Sequence, residues 1–315
     1  MIVERNRSWL SLLLRWQGSI LPRIWRRLLV VITVSLVVTG IYVFGATEEV
    51  PLLTVVPFSL VGLALSIFLG FRNSTSYDRF WEGRKLWGRF VNTSRSMGRQ
   101  VLTLMHTEEL AEQDELAALQ HRLIKALVGY VHAVRLHLRD QNDQLSAELA
   151  LFLTEDDLVA LEGSANPPVL LLQRIGVELA TARQRGWIDR FHATVLEASL
   201  TELTEIQGGC ERIKNTPIPY TYTVLIHRIV AVYCFALPFG IVPDVKLFTP
   251  LVAAMVSYAF FGLDAIGDEI EEPFGEDVND LPLGALCRMI EVNLYQSLGL
   301  PHRPLLQPSA EKVLN

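Results

Sequence analysis

The sequence predicts an all-α integral membrane protein with four transmembrane helices and a large helical region outside the lipid. Three observations carry this. Half of the 315 residues are hydrophobic and 20% are charged, whereas soluble domains carry about 25% charged residues; the mean hydropathy is +0.29. Four long apolar runs stand in two pairs. Between the pairs lies a long charged segment whose apolar residues recur at helical spacing.

The N-terminal segment, residues 1–27, is basic: Arg5, Arg7, Arg15, Arg23, Arg26 and Arg27 are opposed only by Glu4. The first apolar run, Leu28 to Ala46, has 19 residues, close to the ~20 that cross the hydrocarbon core. A secretory signal would place a shorter apolar core earlier and follow it with a small-residue cleavage site, so the run reads as a retained helix. Thr47, Glu48 and Glu49 form an acidic link, and the second run extends from Val50 to Phe71. Arg72, Arg79, Arg84, Lys85, Arg89, Arg95 and Arg99 follow. Both flanks of the 28–71 hairpin are therefore positive, which places them in the cytoplasm.

Residues 72–219 read as a helical cytosolic region. In 121–140, Leu123, Leu127, Val131, Val134 and Leu138 fall on one helical stripe. Segments 169–188 and 190–206 behave alike, and LEGSANPP (161–168) interrupts them with Gly, Asn and two prolines. A third apolar run, Tyr220 to Val242, contains His227 and Arg228, a polar pair that should face protein or water rather than lipid. Pro243, Asp244 and Lys246 predict a turn, and Leu247 to Leu263 forms the fourth run, closing a second membrane pair over 220–263. Residues 264–315 read as an acidic cytosolic segment followed by a Pro-rich, extended tail from Gly299 onward. Both termini are then cytoplasmic, and the protein sits in the inner (plasma) membrane.

The second run has distinct faces. Leu63, Ile67 and Phe71 stack at i, i+4, i+8, and Gly62, Ser66 and Gly70 make a small-residue stripe beside them. Small stripes permit close helix approach in membranes. Copies of Leu63, Ile67 and Phe71 around an axis would line a narrow hydrophobic constriction of the kind that gates by dewetting. The same spacing also suits residues that face lipid or a neighbouring helix.

Other chemistry is absent from the sequence. The net charge of −6 argues against nucleic-acid binding. Cys210, Cys234 and Cys287 lie far apart, with no CxxC pair. The seven histidines form no HExxH or similar metal pair, and no Walker loop, GxSxG elbow or GxGxxG is present. The histidines read as surface or satisfied core residues, and no catalytic set emerges. The chain reads as a non-enzyme.

Three blocks carry a family resemblance. IFLGFRNSTSYDRFWEGRKLWG (67–88), QGGCERIKNTPIPYTYTVLIHR (207–228) and EEPFGEDVNDLPL (271–283) occur in order and resemble the bestrophin family, especially its bacterial branch. The resemblance covers roughly residues 1–300. It implies a homopentameric channel in the lipid bilayer that conducts inorganic ions passively through a central pore. The family's apolar neck positions fall on Leu63, Ile67 and Phe71. A second, cytosolic constriction falls near Phe191, with Asp189 and Arg190 beside it; the alternative is that Phe191 is buried in the subunit core. Anion (chloride) conduction is the family default, and monovalent cation conduction, as in a bacterial branch, is the alternative; a transporter or a membrane scaffold is a further one.

The resemblance also implies a calcium clasp after the PFG element, where Pro273, Phe274, Gly275, Glu276 and Asp277 match. Val278 and Asn279 break the acidic string before Asp280, removing a ligand from the oxygen-rich shell that calcium needs. The acidic run from Asp264 and Asp268 to Glu276, Asp277 and Asp280 reads rather as a solvated acidic surface or a vestibule wall that concentrates cations, so no cofactor is expected to be required. Arg72 and Arg190 are candidate anion-selecting charges, with a snorkelling or salt-bridged role favoured for Arg72.

Overall fold

Helix dominates the computed structural model, which describes residues 1–2, 9, 15–16, 18–45, 54–309 and 312–314. Of the described residues, 79% are helical and none forms a strand, as the all-α expectation requires. In chain order the helices are α1 (Leu21–Phe44), α2 (Val55–Leu104), α3 (Gln113–Leu138), α4 (Leu145–Leu149), α5 (Glu155–Leu161), α6 (Pro167–Gln184), α7 (Arg190–Asn215), α8 (Tyr220–Val245), α9 (Thr249–Glu271) and α10 (Leu283–Ser297). The acidic link Thr47, Glu48 and Glu49 lies outside the described residues, as do Glu4, Arg5, Arg7 and Pro51. Contacts divide the chain into two units, Glu4–Trp81 with Pro217–Glu272, and Met1–Val3 with Glu82–Thr216 and Pro273–Asn315.

The first unit is apolar. Among the described residues, three helical stretches have the length and composition to cross a membrane: Leu21–Phe44, Val55–Leu104 and Tyr220–Glu271. The third doubles back at Lys246, whose φ of 52° reverses the chain before the short 3-10 turn Lys246–Phe248, so that α8 and α9 pack on each other. The expected turn at Pro243, Asp244 and Lys246 is thus corrected. Helix α8 runs through Pro238 and Pro243 to Val245, because neighbouring helices in a bundle can re-satisfy the backbone groups that proline frees.

Helix α1 starts with Pro22 in its first turn, where the missing N–H costs nothing. It buries only Ile24, Val31, Ser35 and Thr39 and leaves Leu29, Leu36 and Val37 exposed, the pattern of a helix whose remaining face meets lipid. Ser35 and Thr39 donate their hydroxyls to the Val31 and Ser35 carbonyls at 2.7 Å, so their burial leaves no hydroxyl unsatisfied. The core of the unit joins Ile24 and Val31 of α1, Leu65 and Leu69 of α2, Val230 and Leu237 of α8, and Phe261 of α9. Gly62 is needed in this packing: a Cβ there would lie 2.6 Å from Tyr233 Oη.

The second unit is a polar helical assembly built around α3. Leu123, Leu127, Val131, Val134 and Leu138 are all buried, as their spacing predicts, and α3 packs against α6 and α10. The break at 161–168 is explained by Asn166, whose side chain caps α6, and by Pro167 and Pro168 in that helix's first turn. Thr154 and Asp157 form a reciprocal capping box on α5. Helix α10 was not anticipated: 264–315 reads as an acidic segment and tail, yet Leu283, Cys287, Ile290 and Leu294 make a buried helical stripe.

His132 of α3 is a buried core histidine, lying between two carboxylates. Its Nδ1 is 3.2 Å from Glu148 and its Nε2 is 3.3 Å from Glu291, while its ring stacks on Phe152 at 5.0 Å. Glu291 also accepts from Arg303 of the tail at 2.6 and 2.8 Å, and Glu148 pairs with Arg135 at 2.9 Å. The hydrogen bond from His132 pulls the Glu148 carboxyl down to about 2. Burial pushes Glu291 the other way, but His132 and Arg303 together hold it at about 2. The non-helical tail is therefore tied to the core through Arg303. The chain ends also meet, since the Met1 ammonium donates to the Leu314 carbonyl at 2.6 Å.

Candidate functional site

Leu63, Ile67 and Phe71 are 64%, 51% and 66% exposed. At 3.6 residues per turn they lie on the side of α2 opposite Leu65, Leu69, Arg72 and Ser76, which are buried. The stripe is therefore not packed against a helix of its own chain. It is an exposed apolar surface. The small-residue stripe beside it splits in two. Gly62 admits Tyr233, whereas Ser66 is exposed, with its hydroxyl turned back to the Gly62 carbonyl at 2.8 Å, and a Cβ on Gly70 would meet nothing within 4 Å. Ser66 and Gly70 thus extend the unpartnered face.

One residue past the stripe, Arg72 does the opposite. Its side chain is fully buried and donates to Asp264 Oδ1 at 2.8 Å and to Asp268. His227 joins from α8, with Nε2 3.1 Å from Asp268 and Nδ1 2.9 Å from the Thr223 carbonyl. Arg27 of α1 approaches Asp264 at 3.8 Å. All four helices of the unit thus meet at one ion-pair centre. Two charges buried together need both pairing and hydrogen bonds to persist, and each carboxylate here has a cationic partner.

The centre bears on two expectations. Arg72 is not available as a ring of charge facing a pore; it is salt-bridged, the favoured alternative. Asp264 and Asp268 are not a solvated acidic surface, because α9 continues past Leu263 to Glu271 and turns both toward Arg72. The histidine at the start of the third run faces protein, one of the two environments expected for it. His227, Asp264 and Asp268 bring ligand-type atoms within 4.8 Å of one another. The Arg72 guanidinium already bridges the two carboxylates, so the set fits an ion pair rather than a metal.

In the polar unit, Asp189 caps α7, accepting from the amides of Phe191 at 2.7 Å and His192 at 3.0 Å. These amides hold its carboxyl below the usual range. The cap places Phe191 on the outer first turn, 77% exposed, with the Arg190 guanidinium 6.0 Å from its ring. Phe191 is therefore not a core residue of the subunit.

The stretch after the PFG element is internally satisfied. Phe274 is buried against Gly83, the Leu281 amide donates to the Pro273 carbonyl at 3.0 Å, and the Asp277 amide donates to Asp280 Oδ2 at 2.8 Å. Asp280 is itself buried. Glu276 accepts from Gln141 at 3.0 Å and lies 3.5 Å from Arg139. Calcium takes six to eight oxygens; here one carboxylate closes a turn and another faces an arginine. Glu276, Asp277 and Asp280 as placed do not fit that shell.

An apolar helical bundle with a buried charge centre, joined in one chain to a polar helical unit, defines a polytopic integral membrane protein. The chain belongs to the bestrophin family: the model of the bacterial and fungal bestrophin proteins matches residues 1–296. It is 41% identical over 303 residues to a voltage-dependent anion channel-forming protein of Ralstonia nicotianae, covering 96% of this chain and 95% of that one. It is 37% identical over 296 residues to the voltage-dependent anion channel-forming protein YneE of Escherichia coli K12, covering 94% and 93%. The crystal structure of a bacterial bestrophin homolog from Klebsiella pneumoniae superposes with a TM-score of 0.81 at 35% identity, over 88% of this chain and 99% of that one.

Proposed function

We propose that this chain is the subunit of a gated anion channel, a homopentamer in the inner (plasma) membrane with four crossings and both termini cytoplasmic. Family membership and the names of its relatives support conduction of anions. The observation that carries the pore reading is the exposed stripe of Leu63, Ile67 and Phe71 on the unpacked side of α2. Five copies facing an axis would make a neck of stacked apolar rings, a barrier that opens when it wets. The bond between Met1 and Leu314 supports placing both termini on one side. Phe191, exposed beside Arg190, is proposed as the second, cytosolic constriction, with Arg190 favouring anions. The acidic stretch gives cation selectivity little to work with, since Asp264 and Asp280 are buried and Asp268 and Glu276 are paired. No calcium requirement and no catalytic role are part of this proposal.

The test is single-channel recording from purified protein in a planar bilayer under a KCl gradient. The expected reversal potential lies near the chloride equilibrium value; a value near that of potassium would overturn the anion assignment in favour of the cation alternative. Replacing Leu63, Ile67 and Phe71 together by alanine should raise open probability or conductance several-fold. Unchanged currents in that variant would remove the neck assignment.

A further inference from the structure

Arg228 of α8 is exposed, and among the described residues it has no ion-pair or hydrogen-bond partner. Its neighbour His227 turns inward to Asp264 and Asp268, so the two polar residues of this membrane segment have opposite fates. A shallow groove of about 380 Å³ begins at Arg228 and runs between α2 and α8, lined by Phe58, Val61, Val232, Tyr233 and Ala236. That volume falls within the ~300–1,000 Å³ of small-ligand sites. Only apolar atoms are accessible along it, so Arg228 contributes its methylene stem and holds the guanidinium at the rim.

The dimensions suit a lipid tail. From Arg228 to Ala236 the helix rises about 12 Å, against roughly 15 Å for one leaflet's share of a ~30 Å hydrocarbon core. Arg228 marks the end nearer the N-terminus of α8, which the proposed topology places at the cytoplasmic leaflet, where anionic lipids concentrate. A lone cation on a lipid-facing helix is costly unless it reaches the interface and finds an anion. A phosphate is already present at that depth and accepts the planar guanidinium fork well. A second copy would have to bring a carboxylate there, and its own Asp264 and Asp268 are held by Arg72 and His227.

We propose that this groove holds an acyl chain of an anionic phospholipid whose phosphate pairs with Arg228. The site is separate from the neck stripe and does not depend on whether the chain conducts.

The test uses purified, delipidated full-length oligomer incubated with phosphatidylglycerol carrying a diazirine in its acyl chain, followed by photolysis and peptide mapping. Label is expected on the segments containing Phe58 and Val61 and Val232 to Ala236. It should fall at least about tenfold in Arg228→Gln, the equivalent of losing one charge-assisted hydrogen bond, and survive in Arg228→Lys. The same probe built on phosphatidylcholine should label several-fold less. Val61→Trp, which fills the groove and keeps Arg228, should also abolish labelling while the oligomer elutes as wild type. Equal labelling by both lipids, or labelling indifferent to Arg228→Gln and Val61→Trp, would overturn the proposal. So would chain-to-chain crosslinking through Val232→Cys, which would show that a second copy covers the groove.

Discussion

Replacing Arg72 by methionine tests the ion-pair centre most directly. The side chains of Arg72 and Asp264 are 0% and 1% exposed, so the substitution leaves Asp264 buried without its closest cation. Removing one partner of a buried pair costs about 3–5 kcal/mol. Two groups soften the loss here: His227 lies 3.4 Å from Asp264 and Arg27 lies 3.8 Å away. The lower end, about 3 kcal/mol, is therefore the expected destabilisation. At about 2–4 °C per kcal/mol for a unit of this size, the midpoint of thermal unfolding should fall by roughly 6–12 °C. The assay is tryptophan fluorescence or static light scattering of the detergent-solubilised protein at fixed detergent and concentration. Adding Asp264→Asn and Asp268→Asn to Arg72→Met should recover part of the loss, because the orphaned charges go with it. A drop under about 2 °C, or a triple variant no more stable than Arg72→Met, would refute the account.

Further outcomes follow from the same geometry. Glu148 and Glu291 are held at about 2 from 4.5; a carboxyl whose folded value is depressed contributes stability above its unfolded value, and that contribution is lost as pH falls through the folded one. The polar unit should therefore weaken between about pH 4.5 and 2, by at most about 3 kcal/mol per carboxyl, and Glu291→Gln should flatten that slope in an acid titration followed by circular dichroism. Burial pushes the Cys210 and Cys287 thiols up to about 12, so neither should react with maleimide at pH 8 until denaturant is added. Gly62→Ala drives a Cβ into Tyr233 and should cost about 1–3 kcal/mol, read as a lowered thermal midpoint and relieved by Tyr233→Phe.

How much of this was legible in the sequence depended on the range of the interaction involved. Apolar runs and the stripe Leu123, Leu127, Val131, Val134, Leu138 are local periodicities, and they reappear as membrane-length helices and a buried face. The polarity of His227 inside an apolar run pointed to protein or water rather than lipid, without saying which. The partners Arg72 and Asp264 are 192 residues apart, and nothing in either neighbourhood points to the other; acidic residues after an apolar run look solvated until a cation is found for them. Helix α10 was missed for another reason. Leu283, Cys287, Ile290 and Leu294 have clean helical spacing, but they lie between an acidic stretch and a Pro-rich tail that set the expectation for the whole segment. Phe191 shows the limit of periodicity: an aromatic residue at a helix start reads equally as core or surface, and only the Asp189 cap decides which way that turn faces.

The separation between Arg72 and Asp264 has a consequence for how the protein is made. Synthesis proceeds from the N-terminus at about 5–20 residues per second. The 192 residues that separate the pair therefore impose a wait of roughly 10–40 s, during which α2 has emerged and its buried arginine has no counter-charge. Over that interval Arg72 has to stay at the membrane surface or in the insertion machinery, since burying it alone is unfavourable. The arrival of α9 would then release it into place. The last helix of the apolar unit to be translated, α9, thus completes the seating of α2, and a ribosome stalled before residue 264 would leave Arg72 without the partner that locks it.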